Sequence, residues 1–137
     1  MAITVQEVPL QYINVIWPSV EGFVASAIPH ADGDISLDET KSYCLNGVWK
    51  LLVAIDENNT VHGAATLHFF NRINHRVAYI TTIGGNKILT PANYAQFSEV
   101  LRSNGATCIE GSVRDSLVRL TARFGARKKS NNIQIVI

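Results

Sequence analysis

Two hydrophobic periods alternate along this chain, and the points where one gives way to the other predict its elements. Residues 3–8 read as a short strand. Pro9 can then start a helix carrying Leu10, Ile13, Ile16 and Trp17 on one side. Pro18, which has no amide hydrogen to donate, predicts a kink or a restart that runs to about Ala27. After the loop HADGD, Ser36 followed three residues later by Glu39 forms a capping box. It opens a helix with Leu37, Tyr43, Cys44 and Leu45, which Gly47 closes. From Val48 the spacing becomes extended: VWKLLVAI and TVHGAATLHFF predict two strands joined by the tight turn DENN, and RVAYITTI predicts a third. Thr90 and Pro91 are placed to cap and begin a helix with Tyr94, Phe97 and Leu101 on one face, stopped by Gly105. Residues 107–113 read as a strand. Asp115 then caps a helix bearing Leu117, Leu120 and Phe124 that ends at Gly125, and residues 133–137 read as a last apolar strand.

That order, one strand, two or three helices, three strands and then α, β, α, β, predicts a mixed α/β (α+β) domain spanning residues 1–137. Its central sheet is mixed and mostly antiparallel, with helices on its flanks. A length of 137 residues with 47% apolar content suits one packed core. No internal repeat or low-complexity tract divides it.

Charge narrows the partners. Twelve Lys+Arg against eleven Asp+Glu lacks the basic excess of a dedicated nucleic-acid binder, and no aromatics interleave with Arg127-Lys128-Lys129 for base stacking. Nucleic acid is therefore not an expected partner. The balance is uneven, however: residues 1–62 hold eight acids against two bases, and residues 102–129 hold seven bases against two acids. Oppositely signed surfaces of this kind can steer self-association. Leu51 to Ile55 is the longest aliphatic run, far below a membrane span, and the first residues lack the pattern of a secretion signal. A soluble, unsecreted protein is expected, with no membrane partner. Cys44 and Cys108 are too few for a disulfide framework and read as reduced core thiols. Four histidines without HxxxH spacing predict no metal site.

The order of elements resembles the GNAT fold of acyl-CoA N-acyltransferases, over nearly the whole chain. The most specific local piece is the end, where TCIEGSV, SLVRLTAR and Phe124-Gly125-Ala126-Arg127-Lys128 are similar to the family's strand, helix and Gly-containing turn. The chain also looks like small phage-encoded GNAT-like proteins. The matching stretches are Val15-Ile16-Trp17-Pro18, Gly47-Val48-Trp49-Lys50-Leu51-Leu52-Val53, Asp56-Glu57, Val61-His62-Gly63-Ala64, Gly84-Gly85 and Gly105-Ala106-Thr107-Cys108-Ile109-Glu110.

This resemblance implies an acyl-CoA pyrophosphate held on backbone N–H groups where the fourth strand passes into a helix, since a helix N-terminus favours negative charge. The corresponding stretch makes Gly84, Gly85, Asn86 and Lys87 the candidate cofactor-binding residues, although it lacks the family's Q/R-x-x-G-x-G/A spacing. As a plain alternative, Gly84-Gly85 need only end a strand. The family's tyrosine acid, four residues before the turn glycine, is Thr121 here. His68 and Glu110 are the nearby titratable groups that could move a proton; Tyr79, Tyr94, Trp17 and Trp49 read as core aromatics. Arg114, Arg119 and Arg123 could contact phosphate, but read better as a solvated face. No catalytic residue is assigned. The resulting expectation is a phage GNAT-like protein that has lost acyl-CoA chemistry, needs no cofactor, and works in the host cytoplasm or the virion with other phage or virion proteins or with copies of itself. The alternative is an acetyl-CoA-dependent N-acetyltransferase acting on a protein or small-molecule amine.

Overall fold

The computed structural model describes residues 2–31, 33–129 and 134–137. Its centre is one five-stranded sheet in the order β1 (Thr4–Glu7), β2 (Lys50–Ile55), β3 (Val61–Asn71), β4 (Arg76–Gly85) and β5 (Cys108–Gly111). The first four strands are antiparallel and β5 lies parallel to β4. A parallel neighbour needs a crossover, which α3 (Tyr94–Ser103) supplies. On the edge strand β1, the Gln96 amide of α3 accepts from the Val5 N–H and donates to the Ile3 carbonyl, both at 3.0 Å. That satisfies backbone which would otherwise invite another strand.

Alternation along the strands divides the core in two. Leu51, Val53 and Ala64 pack beneath Ile13, Trp17, Val20 and Val24 of α1 (Ile13–Ala27) and Cys44 of α2 (Leu37–Leu45). Leu52, Ala54, Ala65, Leu67, Ala78 and Ile80 form the opposite face with Phe97 and Leu101 of α3 and Leu117 of α4 (Asp115–Thr121). One irregularity interrupts the alternation. Thr66 pairs with Thr82 but the next residue, Leu67, pairs with Ile80, so Thr81 is the extra residue of a β-bulge. The Thr66 hydroxyl lies 2.7 Å from that of Thr81 and 2.6 Å from that of Thr82, which gives three buried hydroxyls one shared network.

Several expectations hold, and several are corrected. The Ser36 cap of the expected box is present, with the Glu39 N–H donating to Ser36 Oγ at 3.1 Å, while the return bond from the Ser36 N–H to the Glu39 carboxylate is not formed; Gly47 sits at φ +76° after α2. Pro18 causes no restart: α1 runs unbroken through it, because Pro18 lies on the exposed side while Ile13, Trp17, Val20, Val24 and Ala27 stay anchored in the core. Thr90 and Pro91 form a turn instead of a helix start. The segment before α3 buries Ile88 and Leu89, and Asn93 Nδ2 donates to the Lys87 carbonyl at 2.6 Å, which delays the helix to Tyr94. Arg114, not Asp115, is the residue preceding α4. Of the last predicted strand, Ile133 lies outside the described residues, and residues 134–137 form no strand; Ile135, Val136 and Ile137 are exposed. No helix among the described residues is long and apolar enough to cross a membrane.

Both cysteines are free, but only Cys44 is a core thiol; Cys108 is half-buried on β5. Burial without a compensating charge pushes the Cys44 thiol up to about 12. In the folded protein iodoacetamide is therefore expected to label Cys108 and spare Cys44, with a second thiol appearing only in denaturant. Mass spectrometry of the labelled chain reads the difference.

Candidate functional site

Cross-strand register gathers aromatic groups on the α1/α2 face that are far apart in sequence. Lys50 pairs with Leu67, so Trp49, just before β2, falls beside His68; His68 pairs with Tyr79, and Tyr79 with Glu110. Phe70 lies two residues beyond His68 on the same face. Ring centroids are 4.7 Å apart for Tyr43 and Trp49, 6.2 Å for Trp49 and His68, 5.5 Å for His68 and Tyr79, and 5.8 Å for His68 and Phe70. These spacings match attractive aromatic contacts. Trp49, expected in the core, is half-buried and takes part in this row. Beside it opens a groove of about 510 Å³, lined by Tyr43, Val48, Trp49 and His68 and by the acids Asp34 and Glu39.

His68 and Glu110, the two proton-transfer candidates, thus share one row, but their environments differ. Desolvation lowers His68 from its ordinary 6.5, leaving a neutral imidazole among rings at pH 7. Glu110 accepts from Arg72 Nη2 at 2.8 Å and Nε at 3.2 Å, and Lys129 Nζ lies at 3.4 Å. Those cations hold its carboxyl below the usual carboxylate range, which makes it a weak base and an ion-pair partner. A second carboxylate, Asp56, is lowered chiefly by its 2.9 Å contact with His62 Nε2, and it also accepts from the Thr60 and Asn58 N–H groups of the β2–β3 turn.

These shifts fix the acid response. Unfolded chains protonate His68 first, so stability is full above pH 6.5 and declines as pH falls from there toward the lower folded value. The contributions of Asp56 and Glu110 are present above their ordinary 3.8 and 4.5 and are lost as pH falls through their lower folded values. Urea denaturation is expected to show two acid steps, the first of which disappears in His68→Phe.

The candidate cofactor residues lie at the other end of β4. Gly84 is buried under α1, and a Cβ there would overlap the Phe23 carbonyl, 2.8 Å from its carbon. Gly85, at φ +90°, has room for no side chain either, its Cβ position being 2.5 Å from the His62 oxygen. Asn86 is exposed and Lys87 half-buried. Beyond the pair Ile80 and Gly111, β5 ends while β4 continues. Arg114 occupies the edge so exposed: Nη1 donates to the Ile83 carbonyl at 3.3 Å and Nη2 to the Gly85 carbonyl at 3.1 Å. It therefore serves β4 backbone instead of belonging to a solvated face. Nothing local in the sequence signals this, because the contacts span about thirty residues. Thr121 Oγ1 donates to the Leu117 carbonyl at 2.7 Å, a helix back-bond rather than a proton-relay position. Tyr94 stacks on Phe124 with centroids 4.4 Å apart. Among the described residues no cluster of His, Cys, Asp and Glu could hold a metal ion.

No protein-family model matches this sequence, and no curated protein matches it either. Solved structures do. An aminoglycoside acetyltransferase from an uncultured soil metagenomic sample, in complex with sisomicin, aligns with a TM-score of 0.68 at 9% identity, over 98% of this chain and 96% of that one. A Clostridium acetobutylicum protein described as an acetyltransferase, solved with acetyl-CoA, gives 0.60 at 12% identity over 98% and 96%. Glucosamine-6-phosphate N-acetyltransferase from Arabidopsis thaliana gives 0.57 at 9% over 99% of each chain. Full-length agreement at such low identity speaks for shared architecture. With its bulged fourth strand and a fifth strand that parts from it, the chain has the GNAT-like fold of these acetyltransferases.

Proposed function

We propose that this GNAT-fold chain works by binding rather than by acyl transfer, as an accessory or assembly protein. The observation that carries this reading is the β4 edge, where Arg114 takes the Ile83 and Gly85 carbonyls. The stretch expected to cradle pyrophosphate supports it: Gly84 and Gly85 are packed against α1 and β3, Ile88 and Leu89 are spent on the core, and Pro91 has no N–H to offer. A threonine hydroxyl bonded within its own helix is no substitute for a phenolic acid. Phage origin, a place in the host cytoplasm or virion, and other phage proteins or further copies as partners belong to the same proposal and rest on the sequence resemblance alone.

The second reading, an acetyl-CoA-dependent N-acetyltransferase with Gly84, Gly85, Asn86 and Lys87 at the phosphates, is favoured by full-length similarity to a structure solved with acetyl-CoA. Calorimetry separates the two. The binding reading expects no saturable heat from acetyl-CoA at micromolar concentration. Micromolar binding that is lost in Lys87→Ala, with an unchanged melting temperature, would establish the transferase reading instead. Sedimentation equilibrium then tests self-association, which requires a concentration-dependent mass.

A further inference from the structure

We infer that this chain associates head to tail, the acidic α2 surface of one copy docking on the basic α4 surface of the next. The inference rests on the part of the reading above that names further copies as partners, and it assigns the two surfaces. Its first support is where the fold puts the charge. Residues 10–47, which supply α1 and α2, hold five acids against one base. Residues 115–129, which supply α4 and the turn after it, hold five bases against one acid. α1 and α2 pack on one face of the sheet and α4 on the other, so the sheet keeps the two groups of charge apart. Asp38 and Glu39 on α2 are exposed, as are Arg119, Arg123, Arg127 and Lys128. None of these six forms an ion pair among the described residues. Lys41, the base within the acidic stretch, is half-buried and forms none either.

Each charged surface also carries exposed apolar side chains, the composition of an interface with an apolar centre and a polar rim. Leu45 and Val48 stand exposed at the end of α2, and Leu10, also exposed, comes within 3.8 Å of the Cβ position of Gly47 between them. On α4, Val118 is exposed beside Arg119. One copy cannot satisfy both surfaces by itself, because they lie on opposite faces of its sheet. A second copy presents to each surface the charge it lacks. A two-fold contact through either surface would set like charge against like. A polyanion would engage the basic surface alone, leave the acidic one unmatched, and find no aromatic side chains interleaved with Arg127-Lys128-Lys129 for stacking.

The full-length protein is compared by sedimentation equilibrium at about 0.01 M and about 1 M salt, between which the screening length falls from about 30 Å to about 3 Å. Association is expected to be at least about tenfold stronger at low salt, with masses that grow past a dimer, because two unlike surfaces leave both ends of a complex open unless a ring closes. Arg119→Glu with Arg123→Glu removes one surface, and Asp38→Lys with Glu39→Lys removes the other. Each variant alone should lose association while keeping a cooperative melt, and mixing the two should restore it, since each supplies the surface the other has lost. Restoration on mixing requires both variants to be folded. Self-association of the parent that neither exchange weakens, or that mixing fails to restore, would overturn the assignment of surfaces and leave further copies as partners. A mass independent of concentration would overturn both. A monomer that binds a short nucleic-acid duplex through Arg119 and Arg123 would overturn the proposal in favour of a polyanion. Acyl transfer is judged separately, by the acetyl-CoA titration.

Discussion

Gly84→Ala is expected to cost about 3 kcal/mol or more of folding stability, because the new methyl has nowhere to go. Its Cβ would stand 2.8 Å from the Phe23 carbonyl carbon and 3.1 Å from the Phe23 Cα. Both atoms are backbone of α1, so no rotamer change relieves the overlap and the whole helix must retreat from β4. Retreat would loosen the fully buried Val20 and Val24, along with the cover over the threonine network at the bulge. The same helix offers a control. A Cβ at Gly22 meets nothing within 4 Å, and Gly22→Ala should gain about 0.5–1 kcal/mol through helix propensity. Urea denaturation of both variants checks the pair. Equal stabilities would show that α1 does not sit on β4 as described.

Phe97→Ala should remove about 3–5 kcal/mol, a large share of the roughly 5–15 kcal/mol that holds such a domain. Phe97 is fully buried on α3, in the cluster that joins this helix to Leu52, Leu67 and Ile80, and truncation leaves a cavity that rigid strands cannot collapse to fill. This core lies on the face of the sheet opposite the aromatic groove. Below the lowered melting temperature, the Phe97→Ala protein is therefore expected to keep the Trp49 environment of the parent, read by its indole resonance. A thermal melt gives the destabilisation, and loss of the Trp49 signal before unfolding would mean that the two faces are coupled.

The candidate site divides along the same line. Sequence spacing placed His68 and Glu110 on strands and marked both as titratable candidates. It gave neither their shared row nor their opposite environments, since Arg72 reaches Glu110 across 38 residues. His68 and Phe70 stand at the two-residue spacing that puts both on one strand face, which is the one local sign of the aromatic row. Trp49 and Tyr79 join them only through pairing with β2 and β4.

What the chain determined by itself was whatever closes within a few residues. The Ser36 cap, the left-handed Gly47, Gly105 and Gly125, the hairpin after Asp56 and the burial of Phe97 and Leu101 on one side of α3 all follow from short-range hydrogen bonds and periodicity. The tertiary structure decided what depends on partners elsewhere. It kept α1 continuous through Pro18 because its apolar stripe is anchored on the sheet, and it delayed α3 because Ile88 and Leu89 were drawn into the core. It also set Gly84 against the Phe23 backbone and gave Arg114 the carbonyls of β4. Local energies select a conformation for a turn or a cap; which long-range contact a side chain makes is fixed only when the sheet assembles and its register brings distant residues together.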